Sequence, residues 1–300
     1  MKNKIFLGTL GALIANVIFG FSFLFSKLAL EVAHPLVIIS VRFTVAFIIL
    51  NILWAFGVFK LNFKGKPKKK ILLMAVAQPL LYFIFELYGI DNSSSAISGV
   101  IISLVPIAVI ILSAVVLREK PTIIQIIFSL ISLVAVGIIS IFSNDGNTSS
   151  TLGILLLLGA VICAAVFNIL SRSESAHYSP FERTYIMFLI STVGFNIISL
   201  CALRGNYIPQ MVSAVQSTNF WWAIGYLAIL SSIGAFMLYN YATSVIDTVR
   251  AASFSNLITV VSVLAGIFIM KENLSALQVI CCAFIILGVF GTNLRLKNKE

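Results

Sequence analysis

Charge is scarce in this chain, and the scarcity excludes whole classes of function. Ten acidic residues and two histidines in 300 leave little material for a nucleophile with its base, a metal cluster or paired carboxylates in one site. The histidines, His34 and His177, fall in turns on opposite sides of the predicted layout, so an enzyme is not expected. The four cysteines, Cys163, Cys201, Cys281 and Cys282, all lie inside apolar runs, without metal-ligand spacing and away from any extracellular loop. They read as small core residues, and neither a metal nor another cofactor is expected. No P-loop occurs, so energy for any vectorial process must come from a gradient or from a substrate. A ring of charge or a filter-like loop is missing as well, which argues against a channel.

Apolar sequence is what the chain has instead. Hydrophobic residues make up 60% and charged ones 10%, with a mean hydropathy of +1.09, far from the average soluble domain. The net charge of +10 sits in short turns between apolar runs rather than on one basic face, so no nucleic-acid partner is expected. The partner is a bilayer. Lys2 and Lys4 ahead of an apolar run resemble a signal peptide, but the charge-free stretch Ile5 to Ser26 is 22 residues, long enough to span and too long for an h-region. It reads as a retained first helix.

Spans are predicted at 5–27, 35–58, 71–90, 94–117, 122–142, 152–171, 181–203, 219–241, 249–270 and 275–295, each near the roughly 20 residues that cross about 30 Å of hydrocarbon. Only 60–70 and 204–218 are loops of any length. With the N-terminus inside, sixteen Lys and Arg fall on the cytoplasmic side, including all six of the 60–70 loop, and three, Lys27, Arg204 and Lys271, on the other. Arg42, within the second span, completes the 20. The bias predicts a multi-pass protein of the cytoplasmic membrane with both termini cytoplasmic.

The chain also repeats itself. Tyr88 to Ile139 returns 153 residues later as Tyr241 to Thr292, aligning Leu104 with Leu257, Arg118 with Lys271, Glu119 with Glu272 and Gln125 with Gln278. Earlier in each half the spacing is 145, pairing Gly8 with Gly153, Ser26 with Ser171, Pro35 with Pro180 and Phe43 with Phe188. Two five-span units, 1–143 and 152–295, are therefore expected from one duplicated ancestor. Because five is odd, the second unit runs through the membrane upside down. The expected fold class is an all-α integral membrane protein, ten transmembrane helices forming two inverted five-helix repeats, as in many secondary transporters.

Tyr88, Ser94, Ser95, Ala96, the run Ser98 to Ile101, Leu104, Pro106 and the Arg118–Glu119 turn with Gln125 resemble the first repeat of the EamA-type drug/metabolite transporter superfamily. Pro35 and Arg42–Phe43 are similar to that family too. The second repeat departs from the first, with Thr259 opposite Pro106 and Met187 opposite Arg42. The resemblance covers almost the whole chain and implies a ten-helix exporter of small metabolites, typically amino acids or related compounds. Its motifs say little about substrate.

Polar residues within spans are the candidate site, since hydrocarbon penalises them unless they face protein or water. Gln78, Tyr82 and Glu86 recur at i, i+4 and i+8 on one helix face. Glu86 reads as the only acid inside a predicted span; an ionised carboxylate there costs about 2.5–3.5 kcal/mol on insertion scales. It is expected to bind a substrate amine or carry a proton, the coupling ion; the plain alternative is a hydrated interfacial acid. Arg42 reads as structural, snorkelling or bonding backbone carbonyls. Asn16, Phe19, Gly20 and Phe23 form a helical stripe, with Phe167 and Asn168 on the sixth span; such a stripe is a substrate surface or a packing seam. Ser103 and its repeat partner Asn256 fall near the midplane, while Glu86 and its partner Tyr239 are expected at opposite gates. Ser98 and Ser253 allow close approach beside Pro106 and Ala252, where hinges or plain close packing are expected. The function these residues support is secondary export of a small metabolite, an amino acid or related amphiphile, by alternating access. A flippase for lipids or lipid carriers could use the same fold.

Overall fold

The computed structural model describes residues 2–93, 98, 101–119, 121–142, 150–270 and 276–293, without the side chains at 2, 23, 27, 140–142, 263 and 266–270. Helix follows helix: α1 (Lys2–Leu30), α2 (Pro35–Ala55), α3 (Lys68–Asp91), α4 (Val105–Leu117), α5 (Ile123–Phe142), α6 (Thr151–Glu174), α7 (Pro180–Leu203), α8 (Thr218–Val245), α9 (Leu257–Met270) and α10 (Ala276–Asn293). Among the described residues there is no strand. Among the described residues, seven helices are long and apolar enough to cross a membrane, and Val105–Leu117 and Ile123–Ile139 are shorter apolar helices.

Local chemistry sets the ends. Ser179 accepts from the Glu182 backbone N–H while the Glu182 carboxylate accepts from the Ser179 N–H, with Pro180 at the first helical position of α7. His34 caps α2 ahead of Pro35, and Ser150 caps α6. Outward-facing apolar side chains such as Phe6, Ile123, Trp222 and Phe290 are what lipid-facing positions require, since hydrocarbon does not penalise them.

Repeat partners pair antiparallel. Ser199 Oγ donates to Leu36 O, Thr192 Oγ1 to Phe43 O and Tyr185 Oη to Asn51 Oδ1, so α7 descends along α2 as α2 ascends. Ser132 of α5 donates to the carbonyl of Ile285 of α10, its own partner at the 153 spacing, which puts both on the axis relating the halves. The outer pairs exchange in the same way: α1 packs on α8 and α9, and α6 on α3 and α4. Gly8 and its partner Gly153 do equivalent work, a Cβ on the first meeting Val245 of α8 and on the second Asn92 after α3. This is an inverted repeat.

Four expectations change. The segment 204–218 holds the short helix Tyr207–Val215. The ninth span is broken into the helix Thr248–Ser253, a 3₁₀ turn Phe254–Asn256 and α9. Pro106 sits in the first turn of α4 after a turn at Ser103–Leu104, where its missing N–H leaves no bond unmade, rather than in mid-helix. Cys201 is exposed, unlike the other three cysteines, because its apolar run faces outward there.

Candidate functional site

A cavity of about 640 Å³ lies between the halves, lined by α1, α2, α3, α4, α6, α8 and the 255–259 turn, within the roughly 300–1,000 Å³ typical of small-molecule sites. Along α1 it runs from Asn16 to Leu30, about 21 Å at 1.5 Å per residue. Leu30, Pro35 and Ile90 mark its mouth.

Its floor is aromatic and amide. Phe19 meets Phe236 edge-on at 5.2 Å, and Phe167 lies over Tyr239. The Tyr239 hydroxyl donates to Asn168 Oδ1 at 2.7 Å, whose own Nδ2 donates back to Ala164 O. Asn16 likewise donates to Ala12 O. Ser103 and Asn256 both line the cavity, with Ser98 beside them.

Two opposite charges line the wall. Glu86 Oε1 accepts from the Tyr82 hydroxyl at 2.8 Å, while Oε2 accepts nothing from the described residues. Arg42, 5% exposed, donates from Nε to Ser232 Oγ at 2.8 Å and from Nη2 to Ser231 Oγ at 3.0 Å. Phe43 and Phe83 each hold the guanidinium carbon 5.3 Å from their ring centres. Nη1 has no protein acceptor among the described residues. The two charges form no ion pair with each other. Arg42 is thus bound by hydroxyls and faces the cavity; the expectation of backbone bonding is corrected, since Ser231 and Ser232 lie on the facing stretch of α8.

Beyond the floor the protein is sealed. Arg183, fully buried, donates to Ser171 O and Oγ, Thr243 Oγ1, Asn240 O and Ser244 Oγ. Ser171 Oγ donates to Asn240 Oδ1, and Asn240 Nδ2 to Thr184 Oγ1. Arg172 adds bonds to the carbonyls of Thr243 and Ser244 and lies 3.5 Å from Glu119, which also accepts from the Thr248 N–H. These contacts bolt α6, α7 and α8 together.

Of the expected residues, Asn16, Phe19, Gln78, Tyr82, Glu86, Ser98, Ser103, Asn168, Tyr239 and Asn256 line this one cavity. The Phe23 side chain and Glu272 lie outside the described residues. Gln78 arrives by a different route: its backbone is extended, φ −146° and ψ 129°, so α3 breaks there instead of presenting one continuous face. Ser253 is not in the cavity; its hydroxyl donates to Arg250 O and accepts from Asn293 of α10. The 3₁₀ turn re-aims the chain, and Ser255 lines the cavity in its place. Glu86 and Tyr239 occupy the mouth side and floor of one cavity, not separate gates, because depth along two helices does not fix their lateral separation. Nor is Glu86 the only buried acid, since Glu174 and Glu182 are 1% and 3% exposed at the ends of α6 and α7.

Ser22 and Ser26 also line the cavity; they continue the helical stripe that begins at Asn16, a legible signal. Arg183 was counted with the loop cations. Nothing in its neighbourhood separates a buried arginine from one at the interface.

The family model of the EamA-like transporter family matches twice, over residues 6–141 and 151–294. The chain is 33% identical over 296 residues to the uncharacterized transporter YcxC of Bacillus subtilis, covering 97% of this chain and 94% of that one. It is 27% identical to YetK of the same organism, also described as an uncharacterized transporter, covering 95% and 86%. An uncharacterized transporter of Archaeoglobus fulgidus is 25% identical over 90% of this chain and 93% of its own. A crystal structure of a protein 16% identical superposes with a TM-score of 0.79, covering 95% of this chain and 96% of that one, which is a likeness of fold. The chain belongs to the EamA-like transporter family.

Proposed function

We propose that this protein is a secondary transporter that exports a small metabolite, an amino acid or a related amphiphile, across the cytoplasmic membrane. The observation that carries the reading is that Glu86 and Arg42 line one cavity without pairing with each other. A zwitterion offers an ammonium to the free Glu86 oxygen and a carboxylate to the free Arg42 Nη1, and the apolar walls of Phe19, Phe83 and Ile102 receive its side chain. Each charge is then desolvated only in the company of an opposite one, which is what makes such burial tolerable. The sixteen-to-three cation bias supports cytoplasmic termini and an external mouth at Leu30, Pro35 and Ile90. A cavity reaching that mouth while Arg183 seals the other end is the geometry of a releasing state, and inverted repeats supply the exchanged state. Protons are the proposed coupling ion, because proton and ammonium compete for the same carboxylate.

Reconstituted vesicles test this directly. Glu86→Gln keeps shape and removes the charge: proton-driven accumulation is lost while exchange persists if Glu86 carries the coupling proton, and affinity falls in both modes if it holds the amine. Arg42→Gln weakens carboxylates selectively, so that an amino acid and its amide compete equally well. Unchanged rate, affinity and pH dependence in the Glu86→Gln protein would sink the assignment.

A further inference from the structure

A second cavity of about 500 Å³ lies on the other face of α8 from the first, between the residues that follow α2, the start of α7 and the 237–241 stretch of α8. Val58, Phe59, Pro180, Phe181, Met237 and Leu238 line it, with Lys60 at its rim. Phe59 stacks on Phe181 at 4.3 Å and 15° between planes, so one wall is a rigid aromatic pair. The position fixes the surroundings: α2 ends at Ala55 and α3 starts at Lys68, so the connecting residues turn at the boundary between hydrocarbon and water.

The charge there is of one sign. Lys60, Lys64, Lys68, Lys69 and Lys70 are exposed and form no ion pair among the described residues. The Glu182 carboxylate is already occupied, spanned by Lys66 at 2.8 Å and bonded by the N–H groups of Asn62 and Ser179. An apolar slot with unneutralised lysines beside it, at the bilayer boundary, complements an amphiphile whose chain is hydrocarbon and whose head is an anion. Basic clusters next to membrane spans attract anionic lipid by about 1 kcal/mol per cation; the slot adds a place for one acyl chain, converting diffuse attraction into a site.

We propose that this groove binds one anionic phospholipid, acyl chain along Phe59, Phe181 and Leu238 and phosphate at Lys60. The lipid is a resident partner and not the cargo. It braces the α7–α8 seam on one side, while Arg183, two residues beyond Phe181, bolts the same seam on the other.

Native mass spectrometry of the full-length protein from nanodiscs of mixed phosphatidylglycerol and phosphatidylcholine tests the site. Wild type retains one phosphatidylglycerol in preference to phosphatidylcholine. Leu238→Trp, which fills the slot, loses the retained lipid, whereas the combined change of Lys64, Lys68 and Lys69 to Gln keeps it. Lys60→Gln leaves packing untouched and lowers the preference for phosphatidylglycerol about fivefold, the effect of one cation near an anion. Equal retention of both lipids by wild type overturns the proposal. So does loss of lipid on neutralising the loop lysines with Lys60→Gln unaffected, which would mean diffuse attraction only.

Discussion

The two ends of the central cavity are built from corresponding positions of the repeat and are closed by different chemistry. At the mouth, Ser26, Ile38, Leu87 and Ile90 line open space. Their partners at spacings of 145 and 153 are Ser171, Arg183, Asn240 and Thr243, and these bond to one another and shut the other end. One backbone plan thus carries an apolar rim and a polar bolt. Opening the bolted end breaks several hydrogen bonds to a buried cation, each worth about 1.5–3 kcal/mol when left unmet, although entering water restores part of that. Closing the apolar rim breaks none. In the proposed alternating-access cycle this asymmetry favours the state in which the Arg183 end is sealed, so that binding energy or a gradient would be used to reach the other.

The largest effect is expected from Arg183→Ala. With the four cysteines replaced and a reporter at Tyr239→Cys, labelling from the side that carries the 60–70 loop should rise at least tenfold, the consequence of roughly 1.4 kcal/mol less bias, and net transport should fall. Arg183→Lys should not restore it, because one ammonium cannot reproduce the guanidinium fork. Unchanged labelling would mean that the seam is held elsewhere. Next comes Ile38→Cys with Ile90→Cys: oxidation or a short bifunctional reagent should hold the mouth shut and stop transport, and reduction should restore it. Full transport by the bridged protein would remove the mouth from the cycle. Leu87→Asn places at the rim the side chain that its partner Asn240 supplies at the bolt; it should favour mouth closure and lower reagent access to the cavity about threefold, a shift below 1 kcal/mol. The smallest effect belongs to Ser253→Ala, which removes a bond to Asn293 outside the cavity. It should cost about 1 kcal/mol of stability with transport rates within a factor of two, and a large transport loss would return Ser253 to the site.

Periodic and additive properties were readable without coordinates. Length and hydropathy of the runs set most of the helices, odd span number set the inversion, and the stripe Asn16, Phe19, Gly20 and Phe23 follows from 3.6 residues per turn. Gly8 and Gly153 were recognisable as repeat partners, and only packing revealed what they touch. Sequence spacing on one helix also paired Tyr82 with Glu86, which the hydrogen bond realises.

What the sequence by itself determined is where most of the long apolar helices lie and that the second half repeats the first, because hydrocarbon forces each backbone to satisfy its own hydrogen bonds within its span. What tertiary structure alone decided is which polar side chains meet. Arg42 lies in an apolar run and Arg183 beside a capped helix start, yet it is Arg42, held by Ser231 and Ser232, that faces the cavity and Arg183 that is consumed by Ser171, Asn240 and Ser244. Their partners lie between 12 and 190 residues away. Such contacts depend on helix rotation and on the 3₁₀ turn before Leu257, which arise from packing between helices; the break at Gln78 is by contrast the extended backbone that Pro79 favours in the residue before it.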